Sequence, residues 1–323
     1  MNKKCLIFGA SGGLGQALAK ECLKMDLDFI GTFCTSPTVL LDNVPEAKNR
    51  IVQLDLTDSI EEKLKVSGIS DIPFNFGLST VAMSDVDACW ANPLVSFSQN
   101  VSTNINAAIF CFKRNIPFYY VSTNDVFGSQ TARKDPVRWS VSEEPSPVGI
   151  YARHKRTTEE IILDLARSNK AKARVVRLSL ISLFKSHGQP FFMKLMESIK
   201  MGKDVFGITD QFVNPIFVQT ASREIINDAV NRISTKEYIH IAPVDYASRY
   251  EMIEMVINFL QKNNKKFIHP KFKLEKATLA EMYERKLMID ERPHSPILIP
   301  SITTKYTLEE EIHKAILEYF GKK

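Results

Sequence analysis

The sequence predicts an α/β protein, a doubly wound parallel sheet followed by a smaller α/β lobe. Three observations predict it. The first half alternates short β-rich runs with segments of helical spacing, as strands joined by crossover helices do. A glycine-rich turn separates the first strand from the first helix, and after about residue 180 the alternation loosens into helices joined by short extended pieces. At 323 residues, 44% hydrophobic and 24% charged, the chain can bury a large core.

In order, strands are read at residues 4–8, 29–33, 51–54, 72–76, 118–122 and 174–178, where β-branched and aromatic residues concentrate. Between them, residues 14–25, 60–66, 94–113 and 149–167 repeat apolar residues at helical spacing. The second half reads as helices at 191–201, 220–231, 246–262 and 308–320, with extended pieces at 212–218, 238–241 and 297–299. The predicted division is a nucleotide-binding domain over 1–180 and a substrate lobe over 181–323. No linker rich in Gly, Ser or Pro separates them, so they are expected to pack together and exchange segments.

Composition narrows the function classes. Forty-two Lys and Arg against 37 Asp and Glu give +5; the densest run, Lys262-Asn263-Asn264-Lys265-Lys266, reads as a solvated helix end, so nucleic acid is not an expected partner. Five cysteines (Cys5, Cys22, Cys34, Cys89, Cys111) without a C-x-x-C pair suggest neither a disulfide framework nor a zinc knuckle. A reducing, cytoplasmic setting fits them. The apolar stretch after Lys4 is broken by Gly9, too early for the roughly 7–15-residue core of a signal peptide. The uncharged run from Ala88 to Phe112 carries too many Asn and Ser for a membrane helix. Six scattered histidines (His154, His187, His240, His269, His294, His313) show no metal spacing, and no metal is expected.

Gly9, Gly12, Gly13 and Gly15 lie between a strand and a helix, where a pyrophosphate needs close backbone approach and a helix N-terminus. Their spacing is G-x-x-G-x-x-G, and no Gly-Lys-Ser/Thr follows to make a Walker A loop. The turn opens a run of β/α units, so the sheet is expected to be Rossmann-type, with a nicotinamide dinucleotide on this loop. After the second strand, Thr35 and Ser36 offer hydroxyls where a carboxylate would bind a ribose 2′-OH. That favours NADPH, with NADH as the alternative. Asp55 after the third strand is placed to meet the adenine or to cap a helix.

Tyr151 and Lys155 are four residues apart, on one face of a helix if the segment is helical. A nearby cation favours the phenolate and so is expected to lower the tyrosine pKa toward a useful range. About one such spacing is expected by chance in a chain of this composition, and a second pair, Tyr319 and Lys323, is assigned no function. The context of Tyr151 differs. Thr123 follows the predicted strand at 118–122, at the strand edge where open sheets bind ligands.

Several motifs resemble the extended short-chain dehydrogenases/reductases, of the dTDP-4-dehydrorhamnose reductase type. They are Gly9-Ala10-Ser11-Gly12-Gly13-Leu14-Gly15, Asp85 to Pro93, Asn100-Val101, Ser122 to Phe127, Tyr151 to Lys155 and Val175 to Ser179, with weaker echoes at Asn214 to Val218 and Arg292 to Ser295. The resemblance implies that Tyr151 protonates a sugar ketone, Lys155 holds the nicotinamide ribose and tunes Tyr151, and Thr123 bonds the substrate oxygen. It also implies cofactor contacts at Ser11, Leu14, Leu56 and Asn100. The implied activity is reduction of a nucleotide-linked 4-keto-6-deoxy sugar in dTDP-rhamnose and polysaccharide biosynthesis, in a chain that could act as a homodimer. This chain departs from the pattern at Asn124, where Asp is usual, at Asn75 to Ser79, and in the spacing around Arg292-Pro293. The alternatives are an epimerase or dehydratase of the same superfamily, and a dinucleotide-binding regulatory subunit without turnover.

Overall fold

The run Cys5-Leu6-Ile7-Phe8 has no polar alternation, as a strand covered on both faces requires. In the computed structural model, which describes residues 3–57, 65, 68–128, 136–181, 190–231, 236–303 and 306–321, all four are fully buried. They belong to β1 (Lys4–Phe8), inside a sheet completed by β2 (Asp28–Phe33), β3 (Ile51–Gln53), β4 (Phe76–Ser79), β5 (Phe118–Val121), β6 (Ala173–Arg177), β7 (Tyr238–Ala242) and the two-residue β8 (Ile302–Thr303). The spatial order is β3-β2-β1-β4-β5-β6-β7-β8, with every pairing parallel. The chain runs outward from β1 to β3 and returns to the far side of β1 at β4. That reversal opens a crevice beyond the carboxyl ends of β1 and β4, where open α/β sheets bind ligands.

The longer helices are α1 (Gly13–Lys24), α2 (Thr103–Lys113), α3 (Ile150–Ser168), α4 (Phe191–Met201), α5 (Val218–Asn231), α6 (Arg249–Asn263) and α7 (Leu308–Tyr319). Successive side chains of β1 alternate in direction. Cys5 and Ile7 therefore join the core shared with α1, α4, α5, α6 and α7, while Leu6 and Phe8 join the opposite core under α2 and α3. The fold is the predicted one, an α/β protein with helices on both faces of a parallel sheet. Among the described residues no helix is long and apolar enough to cross a membrane.

The structure moves several elements. The fourth strand is Phe76–Ser79 rather than 72–76, because Pro73 cannot donate to a ladder and Asn75 is spent bridging to Lys4 through its side chain and its backbone N–H. The predicted helix over 94–113 contains a π-helical turn at Ser98–Ser102. The extended piece at 212–218 splits into Phe212–Val213 and Ile216–Phe217 around Asn214-Pro215, and Val218 starts α5. The piece at 238–241 is β7 of the central sheet, paired with β6, so the chain beyond residue 181 returns to that sheet. The helix predicted at 60–66 lies outside the described residues except for Lys65.

What stands apart is small. Val205–Ile208 pairs with Leu274–Ala277, and Leu279–Glu284 covers them through Leu279 and Met282.

Helix α3 is fastened to β6 by charge as well as by packing. Glu159 and Arg177 are both buried and meet fork to fork, with Nε to Oε1 at 3.0 Å and the second nitrogen to Oε2 at 2.7 Å. Removing Arg177 leaves the buried Glu159 carboxylate with Arg156 alone, at 3.3 Å, so Arg177→Met is expected to cost about 3 kcal/mol. Glu159→Leu combined with Arg177→Met is expected to cost less than either change alone. Urea unfolding of the three variants checks both statements.

Candidate active site

The glycine loop is shaped by what a side chain would strike. Gly9 sits at φ +79°, a conformation that L side chains rarely adopt. A Cβ on Gly15 would lie 2.7 Å from Ala10 Cα and closer still to the Gly9 carbonyl oxygen, so α1 can approach the turn only as glycine. Gly12 differs: its nearest neighbour would be the Gly9 oxygen at 3.3 Å, so packing demands glycine there less than close approach from outside does. Gly12 N-caps α1 without a side-chain hydrogen bond, leaving the N–H groups of Gly13, Leu14 and Gly15 without a side-chain cap. Gln16 steadies the turn by donating to the Ser11 carbonyl at 2.8 Å. This cradle fits a dinucleotide pyrophosphate: glycine backbone, positive end of a helix dipole, position at the switch point.

Helix α3 carries Tyr151 in its first turn and Lys155 one turn later. Lys155 is 2% exposed; its ammonium donates to the Val121 carbonyl at 2.6 Å and lies 4.2 Å from the centre of the Tyr120 ring. Burial lowers its pKa to about 7, although Glu159 pulls the other way. Thr123 follows β5 and accepts from the Asp125 N–H at 3.2 Å. The structure brings Thr123 and Tyr151 together, close enough for the Thr123 hydroxyl to favour the phenolate, while that hydroxyl is within 3.3 Å of Asn124 Oδ1.

One expectation is reversed. Tyr151 is pushed up from its ordinary value, first by burial and then by Asp125 and Cys89, with the nearby Thr123 hydroxyl opposing. Lys155 does not bring it down, because its ammonium is directed at the Val121 carbonyl. At neutral pH the phenol keeps its proton.

The other expected residues divide. Thr35 and Ser36 are exposed beyond β2, and the Ser36 hydroxyl bonds Thr38 through Oγ1 at 2.8 Å and accepts the Thr38 N–H at 3.2 Å. Asp55 Oδ1 accepts the Thr57 N–H and hydroxyl in a local turn after β3. Leu56 is buried in the core under α2, and Asn100 spends its amide on the backbone N–H and carbonyl of Met83 at 3.0 and 3.1 Å. Asn100 therefore shapes the loop after β4 instead of presenting its side chain to the crevice. His187 and Lys323 lie outside the described residues.

Sequence reasoning missed the charged groups around the phenol. Burial pushes the Asp125 carboxyl up while Arg249 and Arg292 hold it down. Arg249 has a buried Nε without a hydrogen-bond partner. Asp125 was findable from its place two residues after Thr123; the arginines come from segments more than 120 residues away in the chain.

A family model described as the RmlD substrate binding domain matches residues 3–294. The protein named probable low-salt glycan biosynthesis reductase in Haloferax volcanii is 26% identical over 175 residues, 54% of this chain and 52% of its own length. A dTDP-4-dehydrorhamnose reductase of Mycobacterium tuberculosis is 24% identical over 162 residues, 50% of this chain and 46% of its own. The chain thus spans about half the length of the curated relatives it matches. Among solved structures, a dTDP-4-dehydrorhamnose reductase of Bacillus anthracis in complex with NADP gives a TM-score of 0.76 at 18% identity, covering 98% of this chain and 100% of that one. A UDP-glucose 4-epimerase of Thermotoga maritima gives 0.73 at 14% identity, covering 98% of each chain. These structural likenesses show the fold.

The lowered Lys155 pKa has a consequence for stability. Between about 7 and the unfolded value of roughly 10.4 the unfolded chain binds more protons at this group, so its contribution to stability rises with pH, by at most about 1.4 kcal/mol per unit. Below pH 7 both states are protonated and the slope vanishes. Urea unfolding of the wild type and Lys155→Met from pH 6 to pH 10 is expected to show the difference moving in favour of the wild type above pH 7. A flat difference overturns the assignment.

Proposed function

The chain belongs to the family described as the RmlD substrate binding domain, and from that premise we propose that it is a nicotinamide-dependent reductase of a nucleotide-linked 4-keto-6-deoxy sugar. The observation that carries the reading is the placement of Tyr151 beside Thr123, on the same helix as the buried Lys155 and at the same sheet edge as the glycine loop.

A bound nicotinamide dinucleotide supplies the hydride. The glycine loop and the first turn of α1 hold its pyrophosphate, Gly12 admitting close approach. Lys155, fixed against the Val121 carbonyl, would hold the nicotinamide ribose through its remaining N–H groups. Thr123 orients the sugar carbonyl oxygen, and the Tyr151 phenol passes its proton to that oxygen as negative charge develops there. Exposed Thr35 and Ser36, with no carboxylate among Cys34, Thr35 and Ser36, support NADPH over NADH. The named reductases of Mycobacterium tuberculosis and Bacillus anthracis support the reaction type.

Oxidation of NADPH in the presence of a dTDP-linked 4-keto-6-deoxy sugar tests this reading. Tyr151→Phe is expected to lower kcat by about 100-fold or more while dinucleotide affinity is kept. Unchanged turnover in that variant removes the tyrosine from the mechanism. Gly12→Ala is expected to weaken NADPH binding with little change in Tm measured without ligand. A protein purified with oxidised dinucleotide tightly bound, and without net NADPH consumption, would point to the epimerase or dehydratase alternative.

A further inference from the structure

The helix that carries Tyr151 begins without a cap of its own. Its N-cap is Gly149, which has no side chain to bond the exposed N–H groups. The missing cap comes from 140 residues away: Asp290 Oδ2 accepts the Ile150 N–H at 2.8 Å. Gly149 is what lets it reach, since a Cβ there would lie 2.8 Å from that same oxygen and 2.7 Å from the Glu291 carbonyl oxygen.

Asp290 is itself held in place. Asp87, in the short helix Val86–Ala91, accepts the N–H groups of Ile289 and Asp290 on one oxygen at 3.0 and 2.9 Å. Arg292 pairs with that same oxygen at 3.0 Å and donates to the Asp290 carbonyl at 2.8 Å. The Arg292 N–H in turn donates to the Tyr283 hydroxyl at 2.8 Å, which ties the segment to the helix Leu279–Glu284. Residues 289–292 thus form a strap from the small lobe to the first turn of α3. Asp290 is 6% exposed, so its charge is directed at the helix and not at bulk water.

We propose that Asp290 is a positioning residue for Tyr151, its carboxylate fixing the first turn of α3 so that the placement of the small lobe and that of the phenol are coupled. Tyr151 is the residue directly after Ile150, so a frayed first turn displaces the phenol before it disturbs Lys155 one turn further on. A displacement on the scale of 1 Å at a reacting group is enough to slow a reaction substantially. The strap also borders a surface recess of about 630 Å³ lined by Trp90, Tyr283, Lys286, Met288, Ile289 and Asp290. Contacts made in that recess therefore bear on the segment that caps the catalytic helix.

The proposal rests on Tyr151 being the proton donor, and its test separates the two claims. Asp290→Ala is expected to lower kcat about tenfold with a dTDP-linked 4-keto-6-deoxy sugar, leaving NADPH affinity unchanged. Asp290→Asn, which keeps an acceptor oxygen, is expected to recover most of the loss. Amide hydrogen exchange is expected to quicken at residues 150–153 of Asp290→Ala and stay as in the wild type at 158–166. In a Tyr151→Phe background, Asp290→Ala is expected to cause no further loss. If kcat and exchange at 150–153 are both unchanged in Asp290→Ala, or if only Tm falls, the positioning role is wrong. If Tyr151→Phe turns over normally, the reductase mechanism fails, and exchange at 150–153 alone decides whether Asp290 holds the turn.

Discussion

Glu159 and Arg177 face each other in the interior with almost no solvent exposure, and the position of α3 depends on that contact. The guanidinium is shared widely. It lies 5.0 Å from the centre of the Phe127 ring and 4.2 Å from that of Tyr238, so one cation touches the helix, the segment after Thr123 and strand β7. Arg156 adds a third bond to the same carboxylate at 3.3 Å. Lys155 is one turn before Glu159 and Tyr151 two turns before it. Their placement over the carboxyl end of β5 follows from where Glu159 is docked. A buried ion pair is weak evidence for stability, since apolar packing often serves as well. Its directional fork does fix the helix along its axis and about it, which packing alone does less sharply.

The two sides of the crevice are built by different physics. Around Gly9, Gly12 and Gly15 the backbone itself is the binding surface, and the sequence requirement is the absence of side chains. Around Tyr151 the surface is made of ionisable groups in a poorly hydrated setting, where burial and mutual charge decide which form each takes. Lys155 is shifted down and Tyr151 up for the same reason, since burial disfavours the charged form of each.

How much was legible follows the range of the interactions. The glycine loop, β1, α1, α3 and β6 are set by local pattern, and the expected and observed bounds agree within one residue. Pro73 hid the start of β4, since its apolar neighbours mimic a strand that proline cannot join. The π-helical turn at Ser98–Ser102 was invisible because apolar spacing over residues 94–113 is compatible with an uninterrupted helix. Asn100, a cofactor position by resemblance, has its amide on the Met83 backbone, a contact that sequence spacing does not reveal. The strap from Asp290 to Ile150 had no sequence signal at all. Its one trace is negative, a glycine at position 149 where Ser, Thr, Asp or Asn would be the ordinary cap.

The reversal at Tyr151 bears on how the site works. A lysine four residues along a helix was expected to stabilise a phenolate, the form suited to removing a proton from an alcohol. The ammonium is instead committed to the Val121 carbonyl, and the groups acting on the phenol are burial, Asp125 and Cys89, all of which disfavour its anion. A tyrosine that holds its proton at neutral pH rests in the form a ketone reduction consumes. The nearby Thr123 hydroxyl acts in the opposite direction, favouring the phenolate. Asp125, at the position after the departure Asn124, pushes the phenol in the same direction as burial does. The shift of the phenol is thus set by the fold around the tyrosine and runs opposite to what the short motif alone suggests.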